Sequence, residues 1–172
     1  MMFSILKRWK WLVVSVLCLV GSSVTLAEST KPINDAVALN GIQEAKTVFL
    51  IDFTSPKKTA LYLKTIHGTY RNYVKQGVKP KMVLVFIGET VRYLSTKPDE
   101  TLVFEYESEL SSIAESVKKF GELGVRMEVC AVATGFFNIN NDTVLPGMEV
   151  IGDGFISLTG WQYQGYKLVP IF

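Results

Sequence analysis

The sequence is poor in the residues from which metal and haem sites are built. Its 172 residues include one histidine, His67, and two cysteines, Cys18 and Cys130. A zinc or haem site draws on several such side chains. His67 falls inside a predicted amphipathic helix, where a single histidine is typical of a surface or partly packed position. We therefore expect no metal site and no cofactor.

Nucleotide-binding and hydrolase motifs are also missing. The sequence contains no GxxxxGK[ST] or GxGxxG loop that would hold a phosphate, and no GxSxG motif that would present a serine nucleophile. The glycines of segment 152–154 and the pair Pro146-Gly147 are typical of turns. These absences exclude the motif-bearing nucleotide-dependent enzymes and serine hydrolases.

The amino terminus has the three-part order of an export signal. Lys7, Arg8 and Lys10 precede an apolar run at 11–20, and small and polar residues follow as far as Ala27. This order predicts a signal peptide at 1–27, cleavage near Ala27, and a periplasmic or secreted protein with no membrane contact after cleavage. The alternative is an uncleaved anchor, but the apolar stretch is shorter than the roughly 20 residues that span a bilayer.

The chain that would remain after cleavage has no excess of positive charge. The whole sequence has 18 basic and 16 acidic residues, a formal net charge of +2. Removal of 1–27 takes away three basic and no acidic residues, so that 15 basic face 16 acidic ones and the charge becomes −1. No basic surface remains to bind nucleic acid or an anionic membrane.

The rest of the chain predicts one α/β domain behind a short polar tether. Residues 28–32 are polar and show no periodicity, and a weakly helical segment follows at 36–45; 28–45 are assigned to the tether, and 46–172 form the domain. Short apolar runs predict strands at 47–53, 82–88, 125–130, 148–151 and 166–170, the last ended by Pro170. Helical spacing of apolar residues predicts helices at 57–76, 105–122, 134–141 and 153–164. This alternation predicts a three-layer sandwich around a five-stranded, mainly parallel sheet.

Cys130 is the candidate functional residue. It ends the third predicted strand, and loops beyond the carboxyl ends of parallel strands are where sites gather. By strand alternation it shares a face with Arg126 and Glu128. The backbone N–H groups of the helix that follows would stabilise a thiolate there. An unpaired cysteine in an exported protein indicates an intermolecular bond or a reactive thiol. The alternative is that Cys130 is passive packing, as buried free cysteines often are.

The residues around and beyond Cys130 resemble the DsrE/DsrF-like family of sulfur-relay proteins, in particular its exported branch. The matching features are the strand that ends in Val129-Cys130, Leu145-Pro146-Gly147, and the segment QYQGY at 162–166 that leads into the last strand. Upstream, 46–52 and 83–94 resemble the first two strands. The resemblance implies a DsrE-like domain over 46–172, homo-oligomers of three or six subunits, and a cysteine that carries sulfane sulfur as a persulfide. Cys130 matches that cysteine.

Two functions follow as hypotheses. The first is an exported sulfur carrier that forms a persulfide on Cys130, with an unknown sulfur donor and acceptor; enzyme activity would extend at most to sulfur transfer. The second is a non-enzymatic, oligomeric module that binds a small ligand or a partner and in which Cys130 is passive packing.

Overall fold

The structure is a computed structural model that describes residues 32–172. The predicted signal peptide, its cleavage near Ala27 and the beginning of the predicted tether lie outside these residues. Residues 34–172 form one compact unit. None of the helices in this part of the chain is long and apolar enough to cross a membrane.

Five strands and four α-helices follow one another along residues 32–172. The strands are β1 (Glu44–Ile51), β2 (Lys79–Phe86), β3 (Arg126–Cys130), β4 (Glu149–Ile151) and β5 (Lys167–Ile171). The α-helices are α1 (Pro56–Lys75), α2 (Glu100–Glu122), α3 (Ala131–Phe136) and α4 (Gly154–Tyr163). Two 3-10 helices, Gly88–Tyr93 and Asn141–Thr143, complete the described secondary structure.

All neighbouring strands pair in parallel, in the order β4-β3-β2-β1-β5. The connections from β1 to β2 and from β2 to β3 step in one direction across the sheet, and the connection from β4 to β5 steps back in the other. Because such crossovers are right-handed, α1 and α2 lie together on one face and α4 covers β1, β2 and β3 from the opposite face. The predicted three-layer α/β fold with a five-stranded parallel sheet is confirmed.

The centre of the sheet is buried on both faces. In β2 the consecutive residues from Met82 to Phe86 are all buried, which explains why the strand is a continuous apolar run without alternation. On the α1 and α2 side, Leu63, Ile113 and Phe120 are fully buried against the sheet. Packing in the core therefore fixes the positions of the strands along their axes, and with them the positions of their carboxyl ends.

Helix ends follow the local sequence. The side chain of Ser55 accepts a hydrogen bond from the Lys58 N–H and Pro56 opens α1, while Asp99 caps α2 through the Thr101 N–H. Gly77, predicted to stop the first helix, follows its C-cap with φ +78. Helix α2 begins five residues before the predicted start, with non-helical backbone at Tyr106.

Several other predicted boundaries also differ from the structure. Strand β1 begins at Glu44, because the polar residues from there onward pair in register with Lys79 and its successors on β2; such exposed strand ends carry no apolar signal. Helix α3 starts at Ala131, not Thr134. The prediction that Pro170 ends the last strand is wrong: β5 is an edge strand, where a missing backbone N–H costs no pairing on the solvent side.

Candidate functional site

A cleft opens where the carboxyl ends of three neighbouring strands meet. Asp52 follows β1, Gly88 follows β2 and Cys130 ends β3. The cleft has a volume of about 440 Å³. It is lined by Asp52, Ile87, Gly88, Cys130, Val132, Ala133, Phe136, Phe137, Asp153 and Phe155. The parallel sheet thus brings together residues that are far apart in the sequence, as this edge of an α/β sheet commonly does.

The sulfur of Cys130 lies against the beginning of α4. Cys130 is a free thiol with 5% of its surface exposed, and its Sγ accepts a hydrogen bond from the Gly154 backbone N–H at 3.2 Å. Gly154 is the first residue of α4, whose unpaired N–H groups carry partial positive charge. This contact places an N–H donor on the sulfur atom that would act as the nucleophile.

The helix that makes this contact is not the predicted one. Cys130 is the N-cap residue of α3, but its side chain makes no capping hydrogen bond to that helix. The N–H donor comes instead from α4, which starts 24 residues later in the chain. The expectation that the following helix stabilises the thiolate is therefore replaced by a long-range contact.

Gly154 is required at this contact because there is no room for a side chain. A Cβ at this position would lie 2.5 Å from Ile87 Cγ2, 3.3 Å from Cys130 Cβ and 3.5 Å from Cys130 Sγ. Only glycine lets the backbone N–H approach the sulfur this closely. The Gly-Asp-Gly segment was predicted to form a turn only. Gly154 in addition positions an N–H donor at the thiol.

A buried carboxylate holds α4 against β3. Glu128, two residues before Cys130, is 2% exposed. Its carboxylate accepts hydrogen bonds from Ser157 Oγ and, at 3.2 Å, from Trp161 Nε1, both on α4. Arg126 Nε donates to the other carboxylate oxygen at 2.5 Å, and this contact raises the pKa of Arg126. The network fully engages a charge that would be costly to bury alone, and it fixes where α4 begins.

Asp52 brings a second carboxylate into the cleft. Its backbone N–H donates to Ile171 O at 3.0 Å, which ties the end of β1 to β5. Its side chain lies over Gly88, where a Cβ would come within 2.2 Å of Asp52 Oδ1, and Gly88 has φ +56. Burial, followed by repulsion from Glu89, raises the pKa of Asp52 above its ordinary value.

Aromatic side chains form the outer rim of the cleft. Phe136 and Phe137 pack edge to face with ring centroids 5.0 Å apart. Phe136 on α3 and Phe155 on α4 are 77% and 70% exposed, respectively. The cleft therefore has an apolar mouth around a buried sulfur.

Other residues considered in the sequence lie away from the cleft. His67 on α1 packs edge to face with Phe120. Trp161 packs edge to face with Tyr166 and lies beneath the Arg126 guanidinium, on the face of the sheet covered by α4. Among residues 32–172 no group of three His, Cys, Asp or Glu side chains is arranged as a metal site would be.

Sequence reasoning identified Cys130 but missed Asp52, Glu128 and Gly154 as site residues. Asp52 carries the one available signal, an acidic residue directly after a buried strand. Gly154 and Glu128 act through the packing of α4 on β3, which the local sequence does not report.

Comparison with known proteins agrees with this architecture. Residues 45–171 match the model of the DsrE/DsrF-like family. A protein of unknown function, MTH1491 from Methanobacterium thermoautotrophicum, superposes with a TM-score of 0.57 at 19% identity, over 74% of this chain and 99% of that one. The ychN protein from E. coli superposes with a TM-score of 0.52 at 16% identity, over 74% and 99%. No curated protein matches the sequence significantly. The two structures share the fold, and by the family match the chain belongs to the DsrE/DsrF-like family.

Proposed function

We propose that this protein is a sulfur carrier that binds sulfane sulfur as a persulfide on Cys130. The observation that carries the proposal is the Gly154 N–H on Cys130 Sγ at the bottom of a cleft. The Gly154 N–H donates to the sulfur that would attack, and the cleft gives a donor molecule access to it. Membership of a family associated with sulfur relay supports the same chemistry.

The proposed reaction is a transfer of one sulfur atom without net oxidation. The Cys130 thiolate attacks the outer sulfur of a persulfide R–S–SH, forming a new S–S bond to Cys130 while the S–S bond between that sulfur and R–S breaks. The electron pair leaves on R–S⁻, and Cys130 becomes Cys130–S–SH. In the second half, an acceptor thiolate attacks the outer sulfur and the Cys130 thiolate is released.

The acceptor must come from outside the subunit. Cys130 is the only cysteine beyond residue 18, so the mature chain has no second thiol that could resolve the persulfide internally. The acceptor is then either an external thiol or Cys130 of a neighbouring subunit. We further propose a homo-oligomer of three or six subunits, exported after cleavage near Ala27; amino-terminal sequencing of the periplasmic protein would find Glu28 first.

The competing function is a ligand- or partner-binding module with an inert Cys130. The 5% exposure of Cys130 favours this second candidate, because a buried free cysteine commonly acts as an apolar filler. The two candidates differ in whether the folded protein forms a sulfur adduct.

Intact-mass measurement of the folded protein tests the proposed function. The protein is incubated with thiosulfate, with inorganic polysulfide and with benzyl persulfide, alongside the variant Cys130→Ser as control. We expect at least one donor to add the mass of one sulfur atom to the wild type, and none to add it to the variant. If no donor modifies the folded wild type, the carrier function is wrong and the binding module remains.

A further inference from the structure

We infer that the cleft admits uncharged, apolar thiol-reactive molecules to Cys130 and excludes anionic ones. This inference deepens the proposed function, on which its biological meaning rests, by naming the substrate class: an apolar organic persulfide in place of thiosulfate or another inorganic anion.

The charged groups that line the cleft are all acidic. Of the ten lining residues, two are carboxylates, Asp52 and Asp153, and none is a lysine, arginine or histidine. Just outside the lining, Glu89 adds a further negative charge near Asp52, and the neighbouring cation, Arg92, is paired with Glu89 at 2.6 Å. An anion that enters the cleft meets like charges and no free cation, which makes its desolvation costly.

The wall of the cleft is mostly apolar. Ile87, Val132, Phe136, Phe137 and Phe155 supply most of the cleft wall. The Gly154 N–H, the donor closest to the reacting centre, is already used by Cys130 Sγ. A substrate is therefore held by contact with aliphatic and aromatic surface, which favours an apolar group R.

The same charges suit the chemistry of persulfide transfer. The outer sulfur of a persulfide is electrophilic when it carries its proton, and it is a nucleophile when it is ionised. Negative charge at Asp52 and Asp153 disfavours the ionised form R–S–S⁻ inside the cleft, just as neighbouring carboxylates disfavour one another's ionisation. At Cys130 Sγ the same charges are opposed by the Gly154 N–H, which donates to that sulfur. An incoming persulfide has no such donor, so the cleft holds it as R–S–SH, and Cys130 attacks it as described above.

A series of three reagents that differ in charge tests the inference. Methyl methanethiosulfonate is neutral, its trimethylammonioethyl analogue is cationic and its sulfonatoethyl analogue is anionic. Each rate with the folded protein is divided by the rate of the same reagent with free cysteine. Because all three reagents react with the same thiolate, the ratios between them do not depend on how much of Cys130 is ionised.

We expect the normalised rate of the anionic reagent to be about tenfold below those of the neutral and cationic reagents at low salt, with a smaller difference at high salt. The variants Asp52→Asn and Asp153→Asn should each lower the discrimination about threefold. Asparagine is also a good N-cap, so Asp153→Asn retains the start of α4, where the Asp153 side chain accepts the Phe155 N–H at 2.8 Å.

Asp99→Asn is the matched control. Asp99 is likewise an N-cap whose side chain accepts an N–H two residues on, at 2.9 Å, and it is not part of the cleft lining. The variant therefore removes one negative charge and keeps one cap, and it should leave the discrimination unchanged. An equal effect of Asp99→Asn would mean that net charge, and not the cleft, selects the reagent.

The inference is overturned if the anionic reagent reacts as fast as the neutral one after normalisation, or if thiosulfate loads Cys130 as readily as benzyl persulfide. Either result leaves persulfide formation on Cys130 intact. Conversely, discrimination among the reagents without a persulfide from any donor would support the charge selection of the cleft and refute the sulfur-carrier function alone.

Discussion

At the scale of single residues, the site depends on one sulfur, one backbone N–H and one carboxylate. The Gly154 N–H lies 3.2 Å from Cys130 Sγ, and Asp52 supplies negative charge to the same cleft. The cysteine is the only one of these three that the sequence marks as unusual. A glycine in a turn and an aspartate after a strand are common features, and their role depends on which strand ends become neighbours.

Gly154→Ala is expected to damage both stability and reactivity. The added methyl group would lie 2.5 Å from Ile87 Cγ2, so α4 must shift away from β3, at a cost of about 1–3 kcal/mol in the free energy of unfolding. The N–H then leaves Cys130 Sγ, and alkylation of the folded protein by iodoacetamide at neutral pH slows. Urea unfolding and alkylation rates measure the two effects.

The control for this substitution lies in the same helix. Gly160 has no atom within 4 Å of a Cβ built on it, and replacing it by alanine should stabilise α4 by about 0.5–1 kcal/mol. Equal destabilisation by both alanines would show that α4 tolerates no alanine, and it would contradict the claim that Gly154 is needed for its close approach to Cys130.

Asp52 should give the stability of the protein a specific pH dependence. Burial and Glu89 raise the pKa of Asp52 in the folded state above the ordinary 3.8. As the pH rises above 3.8, the unfolded chain releases this proton before the folded one does, so the free energy of unfolding falls until Asp52 ionises in the folded state too. The loss then persists at higher pH.

Asp52→Asn removes this contribution. Urea unfolding of the two proteins at a series of pH values should show the variant gaining stability relative to the wild type as the pH rises above 3.8, until Asp52 is ionised in the folded state too. A constant difference over this range would mean that the two states bind the Asp52 proton equally.

At the scale of elements, the position of α4 relative to β3 determines whether the thiol has its donor. Glu128 on β3 joins Ser157 and Trp161 on α4, one helical turn or more beyond Gly154. The carboxylate therefore acts as a positioning group for the beginning of the helix. Its effect on the sulfur is indirect, because it acts through the packing of α4 on β3.

Glu128→Gln should loosen α4 without changing any residue in the cleft. A neutral amide cannot accept all the hydrogen bonds of the buried carboxylate, and the expected loss is about 2 kcal/mol of unfolding free energy. The rate of Cys130 alkylation at neutral pH should fall in parallel. The matched control is Glu149→Gln, since Glu149 also pairs with Arg126, at 2.6 Å, but its side chain is 56% exposed.

We expect the Glu149 variant to stay within about 0.5 kcal/mol of the wild type and to keep its alkylation rate. Loss of stability in the Glu128 variant with an unchanged alkylation rate would show that Glu128 is structural only.

Most elements could be predicted from the sequence because their signals are local. Continuous apolar runs marked β1, β2 and β3, and helical spacing marked α1 and α2. The start of α3 at Ala131 was missed because the chain turns from strand to helix with no separating polar residue. The 3-10 helix Gly88–Tyr93 was missed for want of an apolar period. The contacts of Gly154 and Glu128 could not be predicted, since they arise when α4 folds back over the face of the sheet opposite α1 and α2.

At the scale of the whole molecule, the surface carries more large apolar side chains than an isolated domain requires. Phe104 and Tyr163 are 91% and 90% exposed, and Phe136 and Phe155 at the cleft and Ile156 on α4 are also mostly exposed. Such side chains are commonly covered by symmetric contacts between copies.

We therefore expect residues 28–172, prepared without the predicted signal peptide, to self-associate, and the family resemblance favours a trimer or hexamer. Light scattering coupled to gel filtration at micromolar concentration gives the mass directly, and a single monomeric species would contradict the proposal. An oligomer would also bring a neighbouring subunit's Cys130 into consideration as the acceptor thiol.

The most direct test of the carrier function follows one sample of folded protein through a complete cycle by intact mass. The protein is measured alone, after benzyl persulfide, and after a subsequent excess of a small acceptor thiol. We expect the gain of one sulfur atom located at Cys130, its complete loss to the acceptor, and no gain in Cys130→Ser. A folded wild type whose mass never changes, while the urea-unfolded chain takes up sulfur readily, would contradict it and show that Cys130 is passive packing.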